Sequence, residues 1–240
     1  METIFDTILL LGRPAGGKSE FIDYMQKLLP ERRRKRYGLG NLVIVDDFPF
    51  IWEKFEEDDI LEKLGQPRLW SRRAEPAYAT STPLIWPFMI EKINLAALKL
   101  LDSPTFHRGH DTLLIEFSRG GPTGYRDALA RLDPRLLEQA AILYIQVSFA
   151  ESLRRNRARY DEARKGSILA HSVPEEAMHE VYSVDDWDTL TADGLGYLAA
   201  GGMRVPYVTM VNEPESTDPK VLDERYHQAL KTLAARWRGC

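Results

Sequence analysis

Apolar residues gather in five short, nearly unbroken runs: TILLLG (7–12), NLVIVDD (41–47), DTLLIEF (111–117), AAILYIQVSF (140–149) and RVPYVTMVN (204–212). A strand with apolar residues at consecutive positions is buried on both faces, as in a parallel sheet covered by helices. Between the runs, apolar positions recur at helical spacing over 18–29, 84–101, 134–140, 150–164 and 219–237, the third opening on Asp133-Pro134. The alternation predicts an α/β fold of three layers with a parallel sheet of about five strands. No internal repeat or low-complexity linker interrupts it, so residues 1–240 read as one domain. The crossover at about 48–110 is long and is expected to project helices over the carboxyl ends of the strands, where such sheets bind ligands.

Composition narrows the class. Of 240 residues, 44% are hydrophobic and 28% charged, and no apolar stretch reaches the length of a membrane span. The start, METIFDTILLL, lacks the basic region and small-residue cleavage site of a secretory leader and reads as the first core strand. A lone cysteine, Cys240, leaves no intramolecular disulfide or thiolate cluster and suits a reducing cytoplasm. A net charge of −4 gives no general attraction for nucleic acid or anionic membrane. The basic run ERRRKR (31–36) reads as the solvated exit of a helix ending at about Pro30. A homodimer is compatible with the sequence, which neither requires nor excludes it.

The first run feeds directly into GRPAGGKS, which matches G-x-x-x-x-G-K-[ST] between a predicted strand and a predicted helix. Gly12, Arg13, Pro14, Ala15, Gly16, Gly17, Lys18 and Ser19 are therefore expected to wrap a nucleoside triphosphate. Backbone amides and the helix N-terminus would face the phosphates, Lys18 would add a full charge, and the Ser19 hydroxyl would ligate Mg2+. The late strand ends in VNEPES, without the Asn-Lys-x-Asp of a GTPase, and SRGGPTG is not the Ser-Gly-Gly-Gln of a transporter ATPase. What remains is a small-molecule kinase using ATP.

VIVDDFPF sets Asp46 and Asp47 at the carboxyl end of the second strand, where a carboxylate can accept the proton of an attacking hydroxyl. The same pair can cap the helix FPFIWEKF. Here the chain resembles the uridine kinase, nicotinamide riboside kinase and phosphoribulokinase group, in which Asp-Asp-Phe or Asp-Ser-Phe follows the second strand. The resemblance implies ATP-dependent phosphotransfer and a kinase-like strand order of 2-3-1-4-5. It makes Asp46 the base, with Asp47 the fallback and a substrate ligand. Glu116 ends the third strand, and in the resembling kinases a glutamate there lies near Mg2+ and the acceptor. ESLRRNRARYDEAR looks like the lid of nucleoside and nucleotide kinases, placed at about 150–185. Arg155 and Arg159 share one face of it and are the arginines expected to act on the phosphates, while Arg154 and Arg157 share another. A surface helix with pairs such as Glu151 to Arg155 is the alternative. Glu20 stands where many of these kinases carry a second hydroxyl, and EFSRGG replaces their Glu-Gly pair.

For the acceptor, Phe48, Trp52, Trp70 and Tyr78 can stack on a ring or simply form core, and Arg68, Arg72 and Arg73 can bind a phosphate. Arg119 can pair with Glu116 or hold an acceptor anion. Asp185 and Asp186 read as a helix cap. Two other functions stay open: an NTPase whose hydrolysis drives a conformational change, and a regulator that binds nucleotide without chemistry.

Overall fold

The computed structural model describes residues 4–75, 77–163 and 173–237. The chain begins with β1 (Thr7–Leu11), α1 (Lys18–Lys27), α2 (Pro30–Tyr37) and β2 (Asn41–Asp46). The long crossover holds α3 (Asp47–Lys63), a hairpin of β3 (Ser71–Ala74) and β4 (Ala77–Thr80), and α4 (Ile85–Leu101). Next come β5 (Asp111–Phe117), α5 (Gly124–Arg131), α6 (Pro134–Leu137), β6 (Ala140–Gln146), α7 (Phe149–Ala163), α8 (Glu175–Tyr182) and α9 (Trp187–Leu190). Last are β7 (Tyr197–Ala200), β8 (Met203–Val211) and α10 (Pro219–Trp237).

The main sheet has the order β2-β5-β1-β6-β8-β7. Its first five members are parallel and, counted as the five apolar runs, stand 2-3-1-4-5. The sixth strand, β7, is an addition to the expected five and pairs antiparallel with β8. Its sequence, YLAA, is too short to show a period; the turn Gly201-Gly202 makes it a strand. Both glycines have positive φ, 55° and 80°, as a tight two-residue hairpin requires.

Neighbouring residues of a strand face opposite sides, so consecutive apolar residues fill two cores. Leu9, Leu11, Ile115, Phe117 and Ile142 pack with α4 and α5 on one side. Ile8, Leu10, Leu114, Leu143 and Ile145 pack with α1 and α10 on the other. Among the described residues no helix is long and apolar enough to cross a membrane.

The basic run corrects one expectation. It is not an exit from α1 but most of a separate helix, α2, with Pro30 in its first turn and Gly38 closing it through an N–H bond to Arg34 O. Arg33 is buried and donates to Gly40 O and Met25 O, and Arg32 and Arg36 pair with Asp223 of α10. The cations thus join α2 to its neighbours.

In the crossover, Asp58 on α3 is fully buried and accepts from Leu69 N, Trp70 N, Ser71 N and Ser71 Oγ at 2.7–3.0 Å. Burial alone would raise its pKa, but these donors outweigh it and hold the carboxyl below its ordinary value. Its contribution to stability is therefore present at neutral pH and lost as acidification passes below the ordinary carboxylate range. Asp58→Ala would orphan the donors that fasten the hairpin to α3. The expected cost is about 3 kcal/mol, a melting temperature lower by roughly 6–12 °C in calorimetry at pH 7.

Candidate active site

The loop between β1 and α1 is held from several directions. A Cβ at Gly12, whose φ is +144°, would lie 2.4 Å from Ile145 O, so only glycine lets the chain pass this close to β6. Asn212, just past β8, donates to Gly16 O at 2.9 Å. From α7, Ser152 donates to Pro14 O at 2.7 Å, and Arg155 Nη2 donates to Asn212 O at 2.6 Å. The Arg13 side chain reaches away from the loop, to Asp185 (2.8 Å), Val147 O and Tyr182 O. Its backbone amide is what it can offer a ligand.

Lys18 opens α1, with a side chain only 6% exposed. Its ammonium donates to Gly12 O and Arg13 O at 3.0 Å and to Ser118 Oγ at 2.7 Å, and lies 3.9 Å from Glu116 Oε1. Burial lowers its pKa, while the nearby carboxylates pull it upward. Asp46 and Glu116 are register partners at the ends of adjacent strands β2 and β5, with Leu10 of β1 beside Glu116. The parallel order, not proximity in sequence, brings the two acids and the lysine together. Burial raises the pKa of Asp46 to about 6, against a hydrogen bond from Phe48 N. Burial, then the neighbouring negative charges, raise Glu116 to about 7, against the pull of Lys18. Asp46 is also the N-cap of α3, so the two readings of this residue are compatible.

Asp47 is buried in the first turn of α3 and pairs with Arg119 Nη1 at 2.5 Å. Burial raises its pKa, and Arg119 opposes the shift. Arg119 thus pairs with Asp47 rather than Glu116. Asp186 accepts from Tyr125 N and Arg126 N and caps α5, while Asp185 accepts from Trp187 N and Tyr144 Oη besides holding Arg13.

The donor set fits a nucleotide with Mg2+. Ser19 is exposed in the first turn of α1, and Glu116 and Asp46 are carboxyls at the ends of adjacent strands whose raised pKa values come first from burial, so a cation bound there would favour their charged forms. Among the described residues no group of three or more His, Cys, Asp or Glu is arranged to hold a metal. Mg2+ needs no such cage, since it commonly takes one or two protein oxygens together with phosphate and water.

The arginines of the expected lid divide. Arg159 pairs with Glu20 at 2.6 Å, and its charge reaches both Lys18 and Glu116. Arg155 is buried as a brace on Asn212 and Glu151. Arg154 and Arg157 face outward onto Glu151, Glu215 and Glu175. Residues 164–172 of the expected lid lie outside the described residues, as does Cys240.

Arg68 and Arg73, expected to bind an acceptor phosphate, are both paired with acids of α3. Arg68 binds Asp59 (2.6 Å) and Ser71 Oγ (2.8 Å) beneath Tyr78, and Arg73 binds Glu62 (2.6 Å) and Asp59 (3.3 Å). Carboxylates one turn apart on α3 are their partners, so both pin the hairpin down. Arg72 likewise joins the hairpin to Glu176 and Glu180 of α8. Phe48, Trp52 and Tyr78 line a cavity of about 70 Å3 with Trp86 and Tyr182, and Trp70 packs on Phe88. A larger cavity, about 760 Å3, lies between α4 and the Gly120–Gly124 loop, with Arg119 and Trp86 in its wall.

Sequence reading missed Ser118, which donates to Gly12 O at 2.8 Å while accepting from Lys18. It also missed Ser152 and Asn212. None belongs to a motif, and only position in the fold could have found them.

No family model matches the chain, and no curated protein does. Among solved structures it is similar to a gluconokinase from Sinorhizobium meliloti 1021, with TM-score 0.50 and 13% identity over 98% of this chain and 96% of that one. A sugar kinase from Janibacter sp. HTCC2649 is similar at TM-score 0.42 and 13% identity, over 97% and 98% of the two chains. A shikimate kinase from Acinetobacter baumannii in complex with shikimate stands at 0.43 and 13%, over 96% and 95%. At such identity the first of these bears on the fold alone: this chain shares its α/β architecture.

Proposed function

We propose that the chain is an ATP- and Mg2+-dependent phosphotransferase that phosphorylates a hydroxyl of a small molecule. The observation that carries this reading is the meeting of Lys18, at the start of α1, with Asp46 and Glu116 at the ends of the adjacent strands β2 and β5, beside the glycine-rich loop that follows β1. Gly12 to Ser19 hold the polyphosphate through their amides, and Ser19 and Glu116 position the metal. When bound, Mg-ATP supplies the phosphoryl group and part of the compensating charge. Asp46 takes the proton released as the acceptor oxygen bonds to phosphorus and ADP departs. Lys18 and Arg159 stabilise the charge on the oxygens of the transferred group.

The test is acceptor-dependent ADP release across a panel of hydroxyl compounds. ADP release at the same rate without any acceptor would favour an NTPase. Saturable ATP binding without turnover would favour a regulator.

Glu116 gives a further prediction with a sign. A carboxyl whose pKa is raised to about 7 on folding stabilises the fold as a neutral acid, and that contribution is lost as pH rises through 7. Glu116→Gln is therefore expected to raise stability at pH 8 by on the order of 1–3 kcal/mol while lowering turnover. Calorimetry and ADP release on one preparation read both effects, and a variant less stable than its parent at pH 8 contradicts the assignment.

A further inference from the structure

Arg119 follows Ser118, which touches Lys18, and is only 3% exposed. Its Nη1 donates to Asp47 Oδ2 at 2.5 Å and to Ser118 O at 2.6 Å. Its other two nitrogens, Nε and Nη2, are buried and have no acceptor. Buried donors left unpaired are costly, most of all on a charged group. The faces of Trp86 and Phe117 lie 5.3 and 5.1 Å from the guanidinium carbon and stabilise the cation. They do not take the N–H bonds that lie in its plane.

Nε–H and Nη2–H share one edge of the guanidinium and point the same way, the fork that grips two oxygens of a carboxylate or phosphate. Arg119 stands in the wall of the cavity of about 760 Å3, facing Trp86, Pro87 and the Gly120–Gly124 loop. Asp47 fixes the guanidinium from its other side, so the free edge keeps one orientation.

We infer that this edge of Arg119 is the oxyanion subsite of the acceptor pocket, so the acceptor is a small hydroxy compound bearing a carboxylate or a phosphate. The inference rests on the phosphotransfer reading above. Asp47, the partner of Arg119, is the residue after Asp46, and their Cα atoms are about 3.8 Å apart. An unpaired guanidinium edge beside that base suits a sugar acid or sugar phosphate better than a neutral nucleoside.

The test uses matched sets of short polyols, their terminal carboxylates and their terminal phosphates, with equilibrium binding measured by calorimetry on the intact chain. Turnover is measured separately as ADP release with Mg-ATP. The expected result is that the anionic members bind at least about tenfold more tightly than the neutral ones, the preferred anion showing whether a carboxylate or a phosphate is the natural group. Arg119→Lys keeps a cation for Asp47 but removes the fork. It is expected to weaken anion binding about tenfold or more while leaving ATP affinity near that of the parent, with a lower melting temperature from the lost stacking and the lost bond to Ser118 O. Equal binding of neutral and anionic members, no binding by any anionic member, or indifference to Arg119→Lys would each overturn the inference. If that variant fails to fold, the selectivity of the parent protein decides alone. Anion-selective binding without ADP release would retain the subsite and remove the kinase reading, so the two failures are distinguishable.

Discussion

Lys18→Ala is expected to lower turnover by about a thousandfold, with the fold kept and ATP affinity reduced. The ammonium is buried against Gly12 O, Arg13 O and Ser118 Oγ and faces Glu116 across 3.9 Å. It is thus a fixed positive charge at the mouth of the phosphate loop, in low-dielectric surroundings where it acts more strongly than in water. Alanine removes that charge without breaking α1, because its helix propensity is high. Burial disfavours the charged lysine, as its lowered pKa records, so the melting temperature should move by no more than a few degrees. Steady-state ADP release and a thermal melt check the two halves. Turnover at the parental rate would remove every catalytic role assigned to the loop.

Asp46→Asn is the second large effect, an expected loss of about 10²–10⁴ in kcat. Asparagine caps a helix as well as aspartate does, so the bond from Phe48 N and the start of α3 survive. What disappears is the base. In the parent, kcat/KM is expected to fall on acidification through an apparent limb near pH 6–7, reporting Asp46 and Glu116 as a coupled pair with values of about 6 and about 7. In the variant the remaining activity loses the component due to Asp46. Asp47→Asn makes the contrast. Asp47 is committed to Arg119, so its replacement is expected to disturb acceptor affinity and folding more than the pH profile.

The loop and the five apolar strands were legible in the sequence because both are local signals, whereas the order 2-3-1-4-5 was implied only by the resemblance to kinases and is set by long-range pairing. Short apolar runs bounded by turn residues favour strands over helices, and Gly12 and Lys18 sit at fixed offsets from the end of the first run. The basic run of α2 was misread because only Leu28 and Leu29 separate it from α1; Pro30 at its start and Gly38 at its end are its punctuation. Strand β7 was missed because four residues and a Gly-Gly turn carry no period. Arg68 and Arg73 were misjudged for a different reason. A sequence shows that an arginine is available, but not that Asp59 and Glu62 on the facing helix reach it first.

By itself, then, the sequence determined the strands, the glycine-rich turn between β1 and α1 and the acids at the strand ends, since backbone periodicity and motif spacing act over a few residues. Only the tertiary structure decided which charges meet. It set Asp46 beside Glu116 through strand register, gave Asp47 to Arg119, and turned Arg155 and Arg13 into braces for the loop. The physical reason is that an ion pair depends on distance and burial in space. Both are fixed only when segments remote along the chain pack against one sheet.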